Sequence, residues 1–238
     1  MDNGQDVRSV REFWERVWLS PLPPDTEISL FRGQLDKHPL LPKLFRTPNT
    51  TSLVKEAEGK MLAFLKQASP HLSPSRPGND WDWLSLGQHY GMSTRMSDWS
   101  ANPLVALFFA VELDPHAQAS PVVYHYPIKP EIVEKLKQGS PLAISNTRVF
   151  QPHHSHRSEA QAAWHVVHAI HKNNDGNNVF YPLDTMPPHN ERIAKIEISK
   201  QHVTTIRDEL LKMGMTHSTI YGDFGSVCRS IAPSFGLM

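Results

Sequence analysis

The chain has one cysteine, Cys228, in 238 residues. That excludes an internal disulfide framework and any zinc cluster built on several cysteines. A lone cysteine of this kind is expected to be a small buried apolar residue. Charge of one sign is also missing, because 24 Lys and Arg stand against 24 Asp and Glu. A protein that coats nucleic acid usually carries a clear basic excess, so that function class is disfavoured, although a local basic groove is not. No apolar run approaches the ~18 residues a membrane span needs. The start, MDNGQDVRSVREFWERVW, lacks a basic-then-apolar signal pattern. These absences predict a soluble cytoplasmic protein with no membrane partner. The length suits one large domain, able to bury roughly 70–75% of its unfolded surface without staples.

What is present reads as a mixture of helices and strands. Val7, Val10, Phe13, Trp14, Val17 and Trp18 recur at three- and four-residue steps, predicting an N-terminal amphipathic helix stopped by Pro21, Pro23 and Pro24. EISLFRGQ (27–34) reads as a short strand. Leu53, Ala57, Met61, Phe64 and Ala68 predict a helix over 50–68, with Thr50, Thr51 or Ser52 as its cap. HLSPSRPGND (71–80) reads as a loop and WDWLSLGQHYG (81–91) as a helix closing at Gly91. In SANPLVALFFAVEL (100–113), Asn102 can cap and Pro103 suits the first helical position. The helix that follows is apolar nearly all round and must lie inside the protein. Further on, 121–128, 163–170, 178–183 and 194–200 read as strands, with a hairpin at KNNDGN (172–177). Segments 129–139 and 201–214 read as helices. The whole predicts an α+β fold with no internal repeat. An N-terminal helical extension (1–24) precedes one domain (25–238).

Two stretches carry candidate chemistry. In FRGQ, Arg32 sits in a strand directly before Gly33 and Gln34. A half-buried guanidinium needs a planar anionic partner, and a glycine lets a ligand approach the backbone. The bland alternative is a structural arginine paired with a carboxylate. The second stretch, 87–110, crowds His89, Tyr90, Thr94, Arg95, Asp98, Trp99 and Ser100 ahead of the apolar helix. A polar loop facing a helix N-terminus favours anions; the alternative is a turn whose side chains satisfy one another. His153, His154, His156, His165, His168 and His171 cluster, yet no metal-site spacing accompanies them, so no metal is expected. In a strand His165 and His168 point to opposite faces. His89 or His168 suits donation to a phosphate. Trp81 and Trp83, with Asp80 and Asp82, read as packing and capping, and Phe108 and Phe109 as core.

FRGQ, then LGQHYGMSTRMSDWSANPLVALFFA, then the RxxAQxAxxxxH-like run at 157–168, together resemble the FRG domain family, named for Phe-Arg-Gly. The family's central block more often reads GLPTRLLDWT, and its third motif commonly ends in Gln-Gln-Gly where this chain has Ala160, Gln161 and Ala162. The layout is also similar, at fold level, to the Arg-Ser-Glu ADP-ribosyltransferases. That likeness implies a single domain in which a small central mixed or antiparallel sheet pair is flanked by helices. It implies NAD as substrate, a nucleotide ligand, and a macromolecule or nucleotide as acceptor. A role in bacterial defence or a toxin system, with an antitoxin or effector protein as partner, belongs to the same implication. By position Arg32 would steady the dinucleotide, and Thr94, Ser97 or Ser100 would supply the hydroxyl element. Asp98 and Trp99 would build the wall. The transferase pattern Gln-x-Glu appears reversed, as Glu159-Ala160-Gln161. A glutamine supplies no full negative charge to a developing cation. Three readings stay open: Glu159 acts, a carboxylate such as Asp98 acts, or the site binds nucleotide or protein without turnover.

Overall fold

The computed structural model describes residues 6–46, 54–69, 77–112, 120–152 and 155–225, with Cys228 and Ile231. Thr50, Thr51, Ser52, His153, His154 and residues 71–76 of the expected loop lie outside the described residues. Seven helices are described: α1 (Val10–Leu19), α2 (Val54–Ala68), α3 (Asp80–His89), α4 (Pro103–Ala110), α5 (His156–Ala160), α6 (Val203–Lys212) and α7 (His217–Tyr221). Six strands, β1 (Ile28–Gln34), β2 (Met96–Ser100), β3 (Val122–Ile128), β4 (Arg148–Phe150), β5 (Ala163–Val167) and β8 (Ala194–Glu197), form one antiparallel sheet in the order β4-β5-β2-β1-β3-β8. β6 (His171–Lys172) and β7 (Asn178–Val179) make a separate two-stranded hairpin around the predicted turn. The fold is α+β, as the pattern of elements predicts.

The large sheet is two three-stranded halves joined at a narrow seam. β1 pairs with β3 over seven register positions, and β2 with β5 over five. β1 and β2, the two central strands, share only Phe31↔Ser100. Beyond that pair the halves diverge, and the candidate site lies in the divergence. One sheet face is covered by α4, α6 and α1, whose Phe108, Leu107, Ile206, Leu210, Val10 and Phe13 are buried with Phe31 and Val123. The opposite face buries Leu30, Trp99, Tyr124, Tyr126 and Leu183. α1 therefore packs into the same core as the sheet. The chain before it adds a parallel bridge, with Val7 N donating to Glu197 O at 2.9 Å.

Several sequence expectations change. The segment 94–100 is not a loop: Met96–Ser100 is a central strand, and α4 begins only at Pro103, capped by the Asn102 side chain on Leu104 N at 2.9 Å. The helix expected at 129–139 is reduced to one turn, Pro130–Ile132. Val133 instead bridges Val149, and Glu134 N donates to Val149 O at 2.7 Å, so pairing with β4 displaces the helix. Lys137 and Gly139 then take positive φ values of 49° and 66°. The strand expected at 178–183 stops at Val179. Cys228 is exposed, not buried. Trp81, Trp83 and Phe108 are core residues as expected, while Phe109 is only partly buried.

Candidate functional site

A cleft of about 1180 Å³ opens where β1 and β2 part. Its walls come from β1, the start of the following loop, α3, β2, α5 and β5. β2 is buried at every residue but one, because the sheet is covered on both faces; the exception is Asp98. Its side chain is 66% exposed. A single carboxylate presented from an otherwise buried central strand is what a cleft chemistry would use.

Asp98 is held from three sides. The Arg32 guanidinium crosses the gap between the central strands, and its Nη1 donates to the Asp98 carbonyl oxygen. The Gln88 amide on α3 donates to Asp98 Oδ1, and Gln88 Oε1 in turn accepts from Thr94 Oγ1. His165 is the cross-strand register partner of Asp98. Its Nδ1 lies 3.1 Å from Asp98 Oδ1, close enough for an ion pair but out of line for a hydrogen bond. His165 Nε2 pairs with Ser85 Oγ at 2.9 Å. The order Ser85–His165–Asp98 has the distances of a nucleophile triad with the burial inverted. Ser85 is only 7% exposed in mid-helix, whereas the carboxylate faces the cleft. The chain therefore orients Asp98 and does not activate Ser85.

The electrostatics follow from this arrangement. Removal from bulk water by the cleft walls works to raise the Asp98 carboxyl. His165, the Arg32 guanidinium and the Gln88 amide outweigh it and hold the group below the usual carboxylate range. Burial lowers Arg32 from its ordinary value, Asp98 opposes, and the nearby Arg46 cation adds to the lowering. An arginine remains cationic throughout. His89 is pushed down by burial and by Arg157, against the opposing pull of Asp223 and Asp98.

Of the residues expected from sequence, Arg32, Gly33, Gln34, His89, Tyr90, Asp98, Trp99, Ser100 and Gln161 line this one cleft. Gln34 is buried there, its amide oriented to donate to the Asp36 and His38 carbonyls at 3.2 and 3.0 Å. The His89 and Tyr90 rings meet edge to face at 4.8 Å. The Trp99 ring packs against Tyr126, with Nε1 donating to Ser97 Oγ at 3.0 Å. Ser100 Oγ donates to Gln161 O at 2.7 Å and so fixes the turn between α5 and β5. Gln161 leaves its buried Nε2 without a hydrogen-bond partner among the described residues.

Other expected residues lie elsewhere. Glu159 is exposed on α5 and is not part of the cleft wall. Arg95 is fully buried in an ion pair with Glu58 of α2, Nε to Oε2 at 2.6 Å, which removes it from any ligand. His168 sits on the opposite side of β2, joined to Ser97 Oγ at 3.0 Å, so it cannot serve a phosphate in this cleft. Thr94 is buried beside the cleft and lines a smaller hollow. Gly33 lines the cleft, but its missing Cβ serves α4: a Cβ there would stand 1.8 Å from Ala106 O and 2.7 Å from Ala110 N. The close approach belongs to a helix and not to a ligand.

Sequence reasoning passed over Gln88, Ser85 and Arg46, and weighed His165 only as one of the clustered histidines. Gln88 was visible inside the GQHYG run. His165 becomes legible only through its register against Asp98, which no local pattern encodes.

The class these features define is an α+β domain whose antiparallel sheet splits to expose a cationic and carboxylate-bearing cleft. Within it, residues 27–119 match the family model of the FRG domain. The match takes in β1, α2, α3, β2 and α4, and with them Arg32, Gln88 and Asp98. No curated protein and no solved structure matches the chain.

Proposed function

We propose that the cleft binds NAD and transfers its ADP-ribosyl group to a macromolecular or nucleotide acceptor. The observation that carries this reading is the convergence of Arg32, Asp98, Ser100 and Gln161 on one cleft. The volume, about 1180 Å³, is ample for a dinucleotide.

NAD supplies a ribose carbon whose bond to nicotinamide breaks as a bond to the acceptor forms. The chain's own residues divide the remaining work. Arg32 offers a fixed cation to the ligand's phosphates. Asp98, the carboxylate that faces the cleft, replaces Glu159 as the group opposite developing positive charge, and it takes the acceptor's proton. His165, steadied by Ser85, and Gln88 hold that carboxylate in place. Ser100 positions the Gln161 turn.

The second reading is a nucleotide-binding module without turnover. It is favoured by the amide of Gln161 standing where the transferase pattern has an acid. Incubation of the purified protein with NAD labelled in nicotinamide separates the two. We expect nicotinamide release that falls at least about 100-fold in Asp98→Asn and comparably in Arg32→Ala, with Glu159→Gln close to wild type. Tight NAD binding with no release under any acceptor fraction selects the binding module. Full activity in Arg32→Ala removes the site.

A further inference from the structure

A second hollow of about 260 Å³ opens off the cleft and shares Arg32, Arg46 and Asp98 with it. Its outer wall adds Lys43, from the single turn Lys43–Phe45. Three cations from two separate segments thus face one small space against one carboxylate. That carboxylate is already engaged by Gln88 and sits beside His165.

Several cations elsewhere are ion-paired. Lys37 meets Glu197 at 2.7 Å, Lys135 meets Glu27 at 2.9 Å and Lys137 meets Asp82 at 2.6 Å. Among the described residues neither Lys43 nor Arg46 has a carboxylate partner. Arg46 donates its Nε only to the neutral Leu41 carbonyl, at 3.0 Å, and its charge depresses the ionisation of Arg32. Three like charges gathered at a concave surface against a single carboxylate carry a cost that a bound anion removes. A carboxylate ligand brings one negative charge, whereas a phosphoryl or diphosphate group brings more and suits the planar guanidinium fork.

We infer that this side compartment, built by Lys43 and Arg46 beside Arg32, is a phosphate subsite that takes the diphosphate of a nucleotide ligand. The inference rests on the cleft reading above for its nucleotide, but its test is binding alone. With the diphosphate seated there, the nicotinamide riboside end of NAD, not the adenosine end, is the one that reaches toward Asp98 and Gln161 in the adjoining cleft.

The probes are inorganic pyrophosphate, ADP and adenosine, titrated by calorimetry against the full chain at low salt. Pyrophosphate and ADP are expected to bind, with affinity that falls as salt rises. Adenosine is expected to bind at least 10-fold more weakly than ADP. A pyrophosphate signal without a stronger ADP signal identifies free phosphate compounds as the ligand source, and the subsite stands. Lys43→Ala and Arg46→Ala, both at exposed positions, should each weaken pyrophosphate about 10-fold, the loss of one charge-assisted contact. Lys37→Ala, paired elsewhere, should leave it unchanged, and melting curves confirm that each variant is folded. Absence of pyrophosphate binding, or equal binding by the Lys43→Ala/Arg46→Ala double variant, overturns the subsite. If nicotinamide release is never seen but pyrophosphate binding depends on Lys43 and Arg46, the transferase reading falls and this one stands.

Discussion

Ala162 holds a φ of 44° in the turn from α5 into β5, a region that L side chains with a Cβ occupy at a cost. The turn is fixed from both sides, by Ala101 N donating to Ala162 O at 2.9 Å and by Ser100 Oγ donating to Gln161 O. A glycine relieves the strain and gives back part of the gain as unfolded-chain entropy. Ala162→Gly should therefore stabilise the protein by about 0.5–1 kcal/mol in urea denaturation. A loss of stability would mean that the left-handed turn carries no strain. The position was legible, since the resemblance places a glycine there; that the backbone still makes the glycine's turn was not. Gly33 shows the opposite failure. Its special status was plain in FRG, but the backbone that comes close proved to be α4, more than seventy residues away in sequence. Composition can flag a missing Cβ without naming what fills the space.

The ion pair between α2 and the start of β2 is the clearest element-scale tie. Glu58 accepts from both Arg95 N at 2.9 Å and Arg95 Nε at 2.6 Å, with both side chains fully buried. Glu58→Gln leaves a buried guanidinium uncompensated and should cost about 3–5 kcal/mol, read as a lower urea midpoint at unchanged slope. The double variant Glu58→Leu/Arg95→Met should recover most of that, because two apolar groups then replace the pair. A double variant as unstable as the single would locate the damage in packing instead. Arg95 lies among polar neighbours in sequence, and nothing local marks its carboxylate 37 positions earlier. Helices were readable where period and caps agreed, as with Asn102 and Pro103 of α4. β2 was obscured because MSDWS is polar by composition and abuts that cap. The helix expected at 129–139 lost to strand pairing with β4, itself three residues long and without a pattern of its own.

At the scale of the whole molecule, covering both faces of the sheet buries three histidines. Burial pushes His168 down to about 3, with Arg32 and His189 adding to it; it pushes His125 and His189 down to about 4, His171 adding to the latter. Each is neutral in the folded chain, while in the unfolded chain each titrates near 6.5. Their contribution to stability is complete above about pH 6.5 and is lost as pH falls, because the unfolded chain then takes up protons the folded one refuses. The loss is about 1.4 kcal/mol per histidine per pH unit. The melting temperature at pH 5 should lie roughly 10 °C or more below that at pH 7. A flat profile across this range would mean the three rings meet water. The seam between the sheet halves carries a last consequence. With one backbone pairing there, the Arg32 guanidinium on the Asp98 carbonyl acts as a stitch across it. Any anion that draws that guanidinium away fills the cavity and unpicks the stitch in one movement, so occupancy and the freedom of the two halves to shift are a single variable.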